Sequence, residues 1–296
     1  MKFAIFDDSR IGIVIDSAVV DITEVNLGIN TVTTQGLLNG IMENFDSLQP
    51  RLEDLTLSGT RVPLSSVNLG PPIPRPGKIV AMAVNYMENG ALKEKPPIHA
   101  FLKSRNAIIG PGDTINLPKA DASVFHHEAE LGVVIGKEGT DIAVENAFDH
   151  VFGYVNFIDV SARGLSGGNF FWNKSWDTFA PIGPYIVTKD EIADPQNLPV
   201  KLTVNGIPRQ ELSTSDMAHD VAACIAWVSS ITTLDPGDII ATGTNHQGLG
   251  AIQDGDSILM EITGLGSLEV TVRDDLKRQW PTEVDSTFAD RMAGRS

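Results

Sequence analysis

The chain has one cysteine and few cationic side chains, and each shortage excludes a class of protein. Cys224 is the only cysteine among 296 residues, so neither an intrachain disulfide nor a metal site built from several cysteines can form. Lysine and arginine number 22 against 38 aspartate and glutamate, which gives a net charge of −16. Such an acidic surface repels phosphate groups. We therefore expect no nucleic-acid partner and no binding to a membrane surface.

The sequence also lacks the segments that mark membrane proteins and nucleotide-binding enzymes. No apolar run approaches the ~18 residues needed to cross a bilayer. The N-terminus, MKFAIFDDSR, turns acidic too early for a signal peptide, so we predict a cytoplasmic location. Neither a G-x-x-x-x-G-K motif nor a dinucleotide fingerprint is present, so no nucleotide cofactor is indicated.

Proline content divides the chain into predicted parts. Four prolines within residues 71–76 can continue neither a helix nor a central strand. They separate a small N-terminal α/β domain (1–70) from a catalytic domain (71–280), and a C-terminal tail (281–296) follows.

The apolar periodicity indicates many strands and few helices. Apolar residues recur at helical spacing from about Thr34 and again between Asp216 and Ser230. A strand is predicted over 78–84, and further short strands follow without regular βα alternation. We therefore predict a β-rich α+β fold rather than a doubly wound sheet.

Three acidic residues stand where apolar strands begin or end. Glu128 and Glu130 alternate in HHEAELGVVIG, so in a single strand both would point to one face. Asp159 ends the apolar run of VNFIDVSAR. Carboxylates at a core edge are unfavourable unless a cation or a proton holds them, and hard divalent cations take oxygen ligands. The pattern indicates a metal site, with a solvated strand face as the alternative.

Several ordered blocks resemble the fumarylacetoacetate hydrolase family. They are RIGIVIDSAVVDIT, KIVAMAVNY, HHEAELGVVIGKEG, GYVNFIDVSAR, NKSWDTFAPIGP and LDPGDIIATGTNHQGLG. The resemblance runs from the N-terminal strands to about residue 272. It implies that family's mixed β-sandwich roll as the catalytic fold, and commonly a homodimer.

The resemblance also implies a role for each candidate site residue. Glu128, Glu130 and Asp159 would bind the metal, with Mg²⁺ expected and Mn²⁺ or Ca²⁺ as alternatives. Lys174 matches the family's active-site lysine. The substrate-binding residues implied are Tyr86, Lys103, Gly243 and Thr244, of which the last three would contact a substrate carboxylate. Arg163 is expected to pair with nearby acids and to take no part in the chemistry.

The chain departs from the family pattern where water is activated. Hydrolytic and decarboxylating members carry N-Y-x-x-H-x-x-E in a lid. The same stretch here is residues 85–92, in which Asn89 replaces the histidine and Leu92 the glutamate. Ser166 stands where a glutamine often helps to hold water. An amide cannot accept a proton near neutral pH, so the usual general base is missing.

We therefore predict that His246, in TGTNHQG, is the catalytic acid/base. Glu88 and Glu94, which lie in the lid, are alternatives. His126 is another, because it would share the strand face of Glu128.

The resulting functional hypothesis is a metal-dependent enzyme acting on a small oxo-carboxylate. The substrate would be a 2-oxo acid or an acylpyruvate-like 1,3-dicarbonyl, cleaved at a C–C bond through an enolate that the metal stabilises. An isomerase or a decarboxylase is the alternative, because the lid pair is missing. A family member that binds its ligand without turnover is another.

A serine hydrolase is a further hypothesis of a different class. Residues 164–168 fit G-x-S-x-G, which requires a strand before the motif and a helix after it. The following GNFFWNKSW does not indicate a helix, and the predicted sheet is not of the required kind.

Overall fold

The computed structural model describes residues 1–166, 169–292 and 294, and strands dominate this part of the chain. The strands are β1 (Lys2–Phe6), β2 (Arg10–Ile15), β3 (Ala18–Asp21), β4 (Arg61–Pro63), β5 (Leu69–Gly70), β6 (Ile79–Met82), β7 (Ala100–Lys103), β8 (Ile108–Ile109), β9 (Thr114–Asn116), β10 (Val124–His126), β11 (Ala129–Ile135), β12 (Val151–Ile158), β13 (Ser161–Arg163), β14 (Ala180–Thr188), β15 (Pro199–Val204), β16 (Ile207–Ser213), β17 (Ile239–Ala241), β18 (Ser257–Ile262) and β19 (Gly266–Arg273). The α-helices are α1 (Thr34–Glu43), α2 (Phe45–Ser58), α3 (Phe170–Lys174), α4 (Val221–Ser229) and α5 (Thr287–Met292). Short 3₁₀ turns lie at Leu64–Ser66, Arg105–Ala107, Val144–His150, Lys189–Glu191 and Thr214–Asp216.

The largest sheet has its most apolar strands at its centre. Its order is β4-β3-β2-β1-β14-β12-β11-β17-β6-β7, with β5 beside β1 and β8 beside β14. Every residue of β11 and β12 is buried, and so is nearly all of β14. Strands covered on both faces have continuous apolar sequences, as these do.

A second sheet covers one face of this layer. Its order is β16-β15-β18-β19-β9, and β19 packs against β14. Buried and exposed residues alternate along β15, β18 and β19, because one face of each strand is solvated. The prediction of a β-rich α+β fold with a sandwich-like roll is confirmed.

The N-terminal strands extend the central sheet. β1 pairs antiparallel with β2 on one side and with β14 on the other. The predicted helix from Thr34 is confirmed as α1, where the Thr33 hydroxyl caps the first turn by accepting from the Gly36 N–H at 3.0 Å. The boundaries at residues 70 and 280 stay predictions.

The predicted start of one helix was wrong, and a second helix was not predicted. The helix expected from Asp216 begins only at Val221, because the Asp220 side chain caps it by accepting from the Ala223 N–H at 2.7 Å. GNFFWNKSW was expected to be non-helical but contains α3, whose first turn is capped by the Asn169 side chain. Within 1–166 and 169–292, no helix has the length and apolar character needed to span a membrane.

Candidate active site

The antiparallel pairing of β11 with β12 brings the three predicted metal ligands together. Ala129 is opposite Ile158, so Glu128 and Glu130 lie beside Asp159 at the end of β12. The Asp159 N–H donates to the carbonyl of Glu128 at 2.9 Å. Each of the three acids is buried and offers a carboxylate oxygen, and these oxygens lie within 4.8 Å of one another. We call Glu128, Glu130 and Asp159 the carboxylate triad.

The strand that carries the two glutamates is interrupted, which the sequence did not indicate. HHEAELGVVIG was expected to form one strand, but β10 ends at His126 and β11 begins at Ala129. The side-chain oxygen of Gln210 accepts from the Ala129 N–H at 3.0 Å and lies 3.1 Å from Nδ1 of His127. Gln210 therefore fixes the break, and nothing in its local sequence marks it for that role.

Three cationic side chains, which we call the cation group, surround the triad. Lys174, at the end of α3, donates from Nζ to Glu128 at 2.6 Å and to Asp159 at 2.7 Å. Lys103 donates to the other oxygen of Asp159 at 2.5 Å, and Arg163 contacts the other oxygen of Glu128. The expected pairing of Arg163 with an acid is therefore present, and its partner belongs to the triad.

These neighbours shift the pKa values in opposite directions. Burial raises the pKa of Glu128, but the charges of Lys174 and Arg163 outweigh it and the net pKa is lowered. Burial lowers the pKa of Lys174, but the charges of Asp159 and Glu128 leave it raised. Glu128 is therefore held ionised by an ammonium and a guanidinium partner.

Glu130 lacks this compensation. Burial, and then the charges of Asp159 and Glu128, raise its pKa well above the usual range. Its Oε2 accepts from the Gly243 N–H at 2.8 Å. A buried carboxylate beside two others needs a proton or a further cation, and three carboxylate oxygens form a donor set that suits a hard divalent ion. The triad therefore fits a divalent metal, which would share Glu128 and Asp159 with the ammonium of Lys174.

The loop after β17 holds β11 in place through hydrogen bonds to its first two residues. Gly243 has a φ of +82°, which favours glycine, and its N–H reaches Glu130. The Thr244 hydroxyl donates to the carbonyl of Ala129 at 2.7 Å and accepts from Gln210 at 2.9 Å. Both polar groups thus bond within the protein, and their contact with a substrate stays a prediction.

The other two predicted substrate-binding residues are completely or almost completely buried. Tyr86 has no exposed surface, and burial followed by the charge of Glu130 raises its pKa well above normal. Lys103 contacts Asp159, and burial lowers its pKa despite that negative charge. A role for Tyr86 as a pocket wall and for Lys103 as a carboxylate ligand stays a prediction.

His246, on the loop after β17, contacts the carboxylate of a lid residue, Glu88. Its Nδ1 lies 2.5 Å from Oε1 of Glu88, and both residues are buried. Glu94, the other lid acid, is exposed. Burial raises the pKa of Glu128, and the charges of Lys174, Arg163 and then His246 lower it. The imidazole lies on the same loop as Gly243, whose N–H donates to Glu130 of the triad.

The sequence of the catalytic region matches one family. The model described as "Fumarylacetoacetate (FAA) hydrolase C-terminal" matches residues 78–273, which carry the triad, Lys174 and His246. The chain belongs to the fumarylacetoacetate hydrolase family. Gly167 and Gly168 of the G-x-S-x-G motif lie outside the described residues, and family membership favours the metal site over a serine nucleophile.

Relatives within this family include hydrolases and isomerases. A maleylpyruvate hydrolase from Aquipseudomonas alcaligenes is 33% identical over 290 residues, which cover 92% of this chain and 99% of that protein. The crystal structure of a maleylpyruvate hydrolase from Sphingobium sp. SYK-6, in complex with manganese(II) and pyruvate, is 37% identical. It has a TM-score of 0.84 and covers 93% of this chain and 99% of its own. A 2-hydroxyhepta-2,4-diene-1,7-dioate isomerase from Mycobacterium marinum is 33% identical, with a TM-score of 0.74 and coverage of 93% and 99%. This chain is an enzyme of the same hydrolase and isomerase family.

Proposed function

We propose that this fumarylacetoacetate hydrolase family enzyme is a Mg²⁺- or Mn²⁺-dependent hydrolase that cleaves a C–C bond in a small acylpyruvate-type 2-oxo acid. The observation that carries the proposal is the convergence of the carboxylate triad with Lys174 in a buried centre. The maleylpyruvate hydrolase relatives support the same reaction class. A cytoplasmic location is part of the proposal.

The charge balance of the centre supports an anionic substrate. With all side chains ionised, the three negative charges of the triad equal the three positive charges of the cation group. A divalent cation then leaves two positive charges in excess. In a buried centre that excess favours a ligand with a carboxylate and a developing enolate, which together carry two negative charges.

Each residue has a distinct task in this proposal. The carboxylate triad would hold a divalent ion, which would supply Lewis-acid polarisation of the substrate oxygens. Lys174 adds a positive charge beside the same oxygens, and Lys103 holds Asp159 in position. His246 moves the proton. The substrate carboxylate binds at the loop of Gly243 and Thr244, whose N–H and hydroxyl otherwise donate to Glu130 and to the Ala129 carbonyl.

The test is turnover of an acylpyruvate such as maleylpyruvate, measured as the loss of its enol absorbance. The assay is run with Mg²⁺, with Mn²⁺ and with chelator. Asp159→Asn should abolish both turnover and metal binding, and Asp149→Asn, an exposed matched change, should leave both intact. If metal binds by calorimetry but no 2-oxo acid is turned over, the chain binds ligand without catalysis. If no divalent ion binds, the proposal of a metal-dependent hydrolase is wrong.

Isomerisation is the second candidate, because Asn89 and Leu92 replace the lid pair and an isomerase is among the relatives. It requires proton transfer between carbons but no attacking water. Nuclear magnetic resonance of the products separates the two reactions, since hydrolysis yields two fragments and isomerisation yields one. Release of CO₂ from oxaloacetate identifies a decarboxylase.

We also propose a homodimer. Support comes from an apolar surface at the edge of the central sheet, where Leu102 is 62% and Ile231 is 66% exposed. Exposed apolar patches of this kind mark contact surfaces. Sedimentation equilibrium should show dimers that Leu102→Lys weakens and that Leu57→Lys, an exposed apolar control on α2, does not.

A further inference from the structure

The lid and the loop after β17 meet at a buried carboxylate–imidazole pair. Glu88 is 1% exposed and His246 is 6% exposed, although their positions differ by 158 residues in sequence. The Glu88 carboxylate lies 2.5 Å from Nδ1 of His246 and accepts from the backbone N–H of the same residue at 3.0 Å. One carboxylate therefore fixes both the ring and the backbone of His246.

The backbone of the lid adopts an unfavourable conformation to reach this contact. Glu88 has a φ of +54° and Asn89 a φ of +52°, and Gly90 continues the left-handed turn at +78°. The left-handed region costs a non-glycine residue about 1–2 kcal/mol, least for asparagine. Such strain persists where the surroundings over-determine it, and it is concentrated at functional sites.

Hydrogen bonds from the opposite loop hold that turn. The Gln247 amide donates to the carbonyl of Glu88 at 2.7 Å, and the Asn89 amide donates to Gln247 at 3.1 Å. Asp216 accepts from the Asn89 N–H at 3.0 Å and from the Asn245 amide at 2.7 Å. Hydrogen bonds therefore connect the residues that flank the pair, and they keep Glu88 in contact with His246.

Other histidines of the described residues have different surroundings. Burial and then the charge of Arg163 lower the pKa of His126 to about 4, and its acidic partner Asp285 is partly exposed. Burial also lowers the pKa of His127 to about 4. Among the described histidines, His246 combines a buried carboxylate partner with proximity to the triad.

We propose that Glu88 is a positioning residue that holds the Nδ1 proton of His246, so that Nε2 is the atom that accepts and returns the proton during the reaction. The inference rests on the proposed function. It explains how the chain retains a proton acceptor although Asn89 and Leu92 replace the family's lid pair. The same logic fixes the tautomer of histidine in other carboxylate–imidazole pairs.

The proton balance in hydrolysis is complete with this pair. Nε2 of His246 takes a proton from water, whose oxygen bonds to the acyl carbon. The C–C bond then breaks, and its electron pair remains on the 2-oxo acid fragment as an enolate. The proton held on Nε2 returns to that carbon, so the imidazole regains its starting state. Glu88 keeps its negative charge throughout and stabilises the imidazolium.

The first measurement is independent of turnover. In protein labelled with ¹⁵N-histidine, the ring signals of His246, assigned with His246→Gln, should show a proton on Nδ1 shifted strongly downfield. Glu88→Gln should strongly reduce that shift, because the oxygen of a neutral amide is a weaker hydrogen-bond acceptor than a carboxylate oxygen. Glu94→Gln, an exposed change in the same lid, should leave the signals unchanged.

The second measurement is kinetic. His246→Gln and Glu88→Gln should each lower kcat by about 10²–10⁴-fold, the usual range for general acid–base catalysis, with KM and Mn²⁺ affinity unchanged within about threefold. Because the two residues act as a unit, the double variant should lose no more than His246→Gln alone. Glu88→Asp, which keeps the charge, should recover part of the rate.

Opposite outcomes overturn the inference. Full kcat in Glu88→Gln, additive losses in the double variant, or an unchanged ring spectrum would each refute the positioning role. If Glu88→Gln loses Mn²⁺ binding together with kcat, or loses its fold as measured by circular dichroism, Glu88 has only a structural role. If the wild type turns over none of the substrates, the proposed function fails, and the ring spectrum alone still decides whether Glu88 holds the proton.

Discussion

Replacing Lys174 with methionine tests whether its ammonium and the metal share the same oxygens. Nζ of Lys174 lies 2.6 Å from Glu128 and 2.7 Å from Asp159, inside the carboxylate triad. Methionine retains most of the side-chain volume but removes the charge. The metal-free variant therefore has two buried carboxylates without this partner, while a divalent ion can bind them without competition.

The expected loss of stability follows from the burial of these groups. Removing one partner of a buried ion pair costs about 3–5 kcal/mol, because the remaining charge is left uncompensated. The entropy of unfolding is about 2.1 cal/mol/K per residue, which for 296 residues gives about 0.6 kcal/mol per degree. Metal-free Lys174→Met should therefore unfold about 5–8 °C below the metal-free wild type.

Saturating Mn²⁺ should reverse most of that deficit. The assay is calorimetric unfolding with chelator and with excess Mn²⁺, together with Mn²⁺ titration calorimetry. We expect the Tm difference to shrink with metal, Mn²⁺ affinity to be equal or higher in the variant, and turnover to be lost. The control is Lys201→Met, which removes an exposed ion pair with Glu211 at 3.6 Å that is worth about 0–1 kcal/mol. Its Tm should differ from that of the wild type by the same small amount with chelator and with Mn²⁺.

Two results would refute this reasoning. An equal Tm deficit with and without Mn²⁺ would mean that Lys174 does not compete with the metal for Glu128 and Asp159. Weaker Mn²⁺ binding in Lys174→Met would mean that the ammonium helps to assemble the metal site instead.

Three further predictions concern the same region. Glu130→Gln should lower Mn²⁺ affinity by more than about 100-fold in titration calorimetry, since even outer-shell partners contribute 10–100-fold. The metal-free variant should nevertheless unfold at the same or a higher temperature, because burial and the charges of Asp159 and Glu128 already disfavour the ionised form of this carboxyl and glutamine is a neutral side chain of similar shape. Gly243→Ala should cost more than about 1 kcal/mol in urea unfolding, because alanine is strained at a φ of +82° and its Cβ would lie 3.1 Å from Cβ of Asn85. Burial lowers the folded pKa of His127 to about 4 from 6.5, so the unfolded chain binds the proton first as the pH falls, and stability present above pH 6.5 is lost between pH 6.5 and 4. The difference of about 2.5 between the two pKa values corresponds to about 3 kcal/mol, and His127→Asn should remove that part of the pH dependence in denaturant unfolding measured from pH 7 to 4.5.

The triad could be predicted from sequence because its geometry is local. Alternation along one strand predicted that Glu128 and Glu130 share a face, and they do lie together although Glu128 belongs to the break before β11. The antiparallel pairing of β11 with β12 places Asp159 beside them. The apolar runs of the two strands indicated the site, and the resemblance to the family assigned the three acids as metal ligands. The interruption at residues 127–128 could not be predicted, because Gln210, which stabilises it, is about 80 residues away along the chain.

Contacts between distant segments account for the remaining differences. Lys103 was expected at a substrate carboxylate, and it contacts Asp159 across 56 residues. α3 was missed because it has five residues, too few for a helical period, and its start depends on one asparagine cap. Glu88 was only one of several acid/base alternatives, since sequence patterns do not show that a left-handed turn aims its carboxylate at His246.

The acid/base pair is divided between the lid, which carries Glu88, and the loop after β17, which carries His246. In the family pattern both groups lie in the lid, so opening the lid would remove both from the metal. Here His246 lies on the loop that also holds Glu130 through Gly243, and only Glu88 belongs to the lid. Lid opening would leave the imidazole on the loop that contacts Glu130 but would separate it from the carboxylate that orients its ring. If Glu88 positions His246, the orientation of Nε2, and with it proton transfer, is therefore coupled to lid closure.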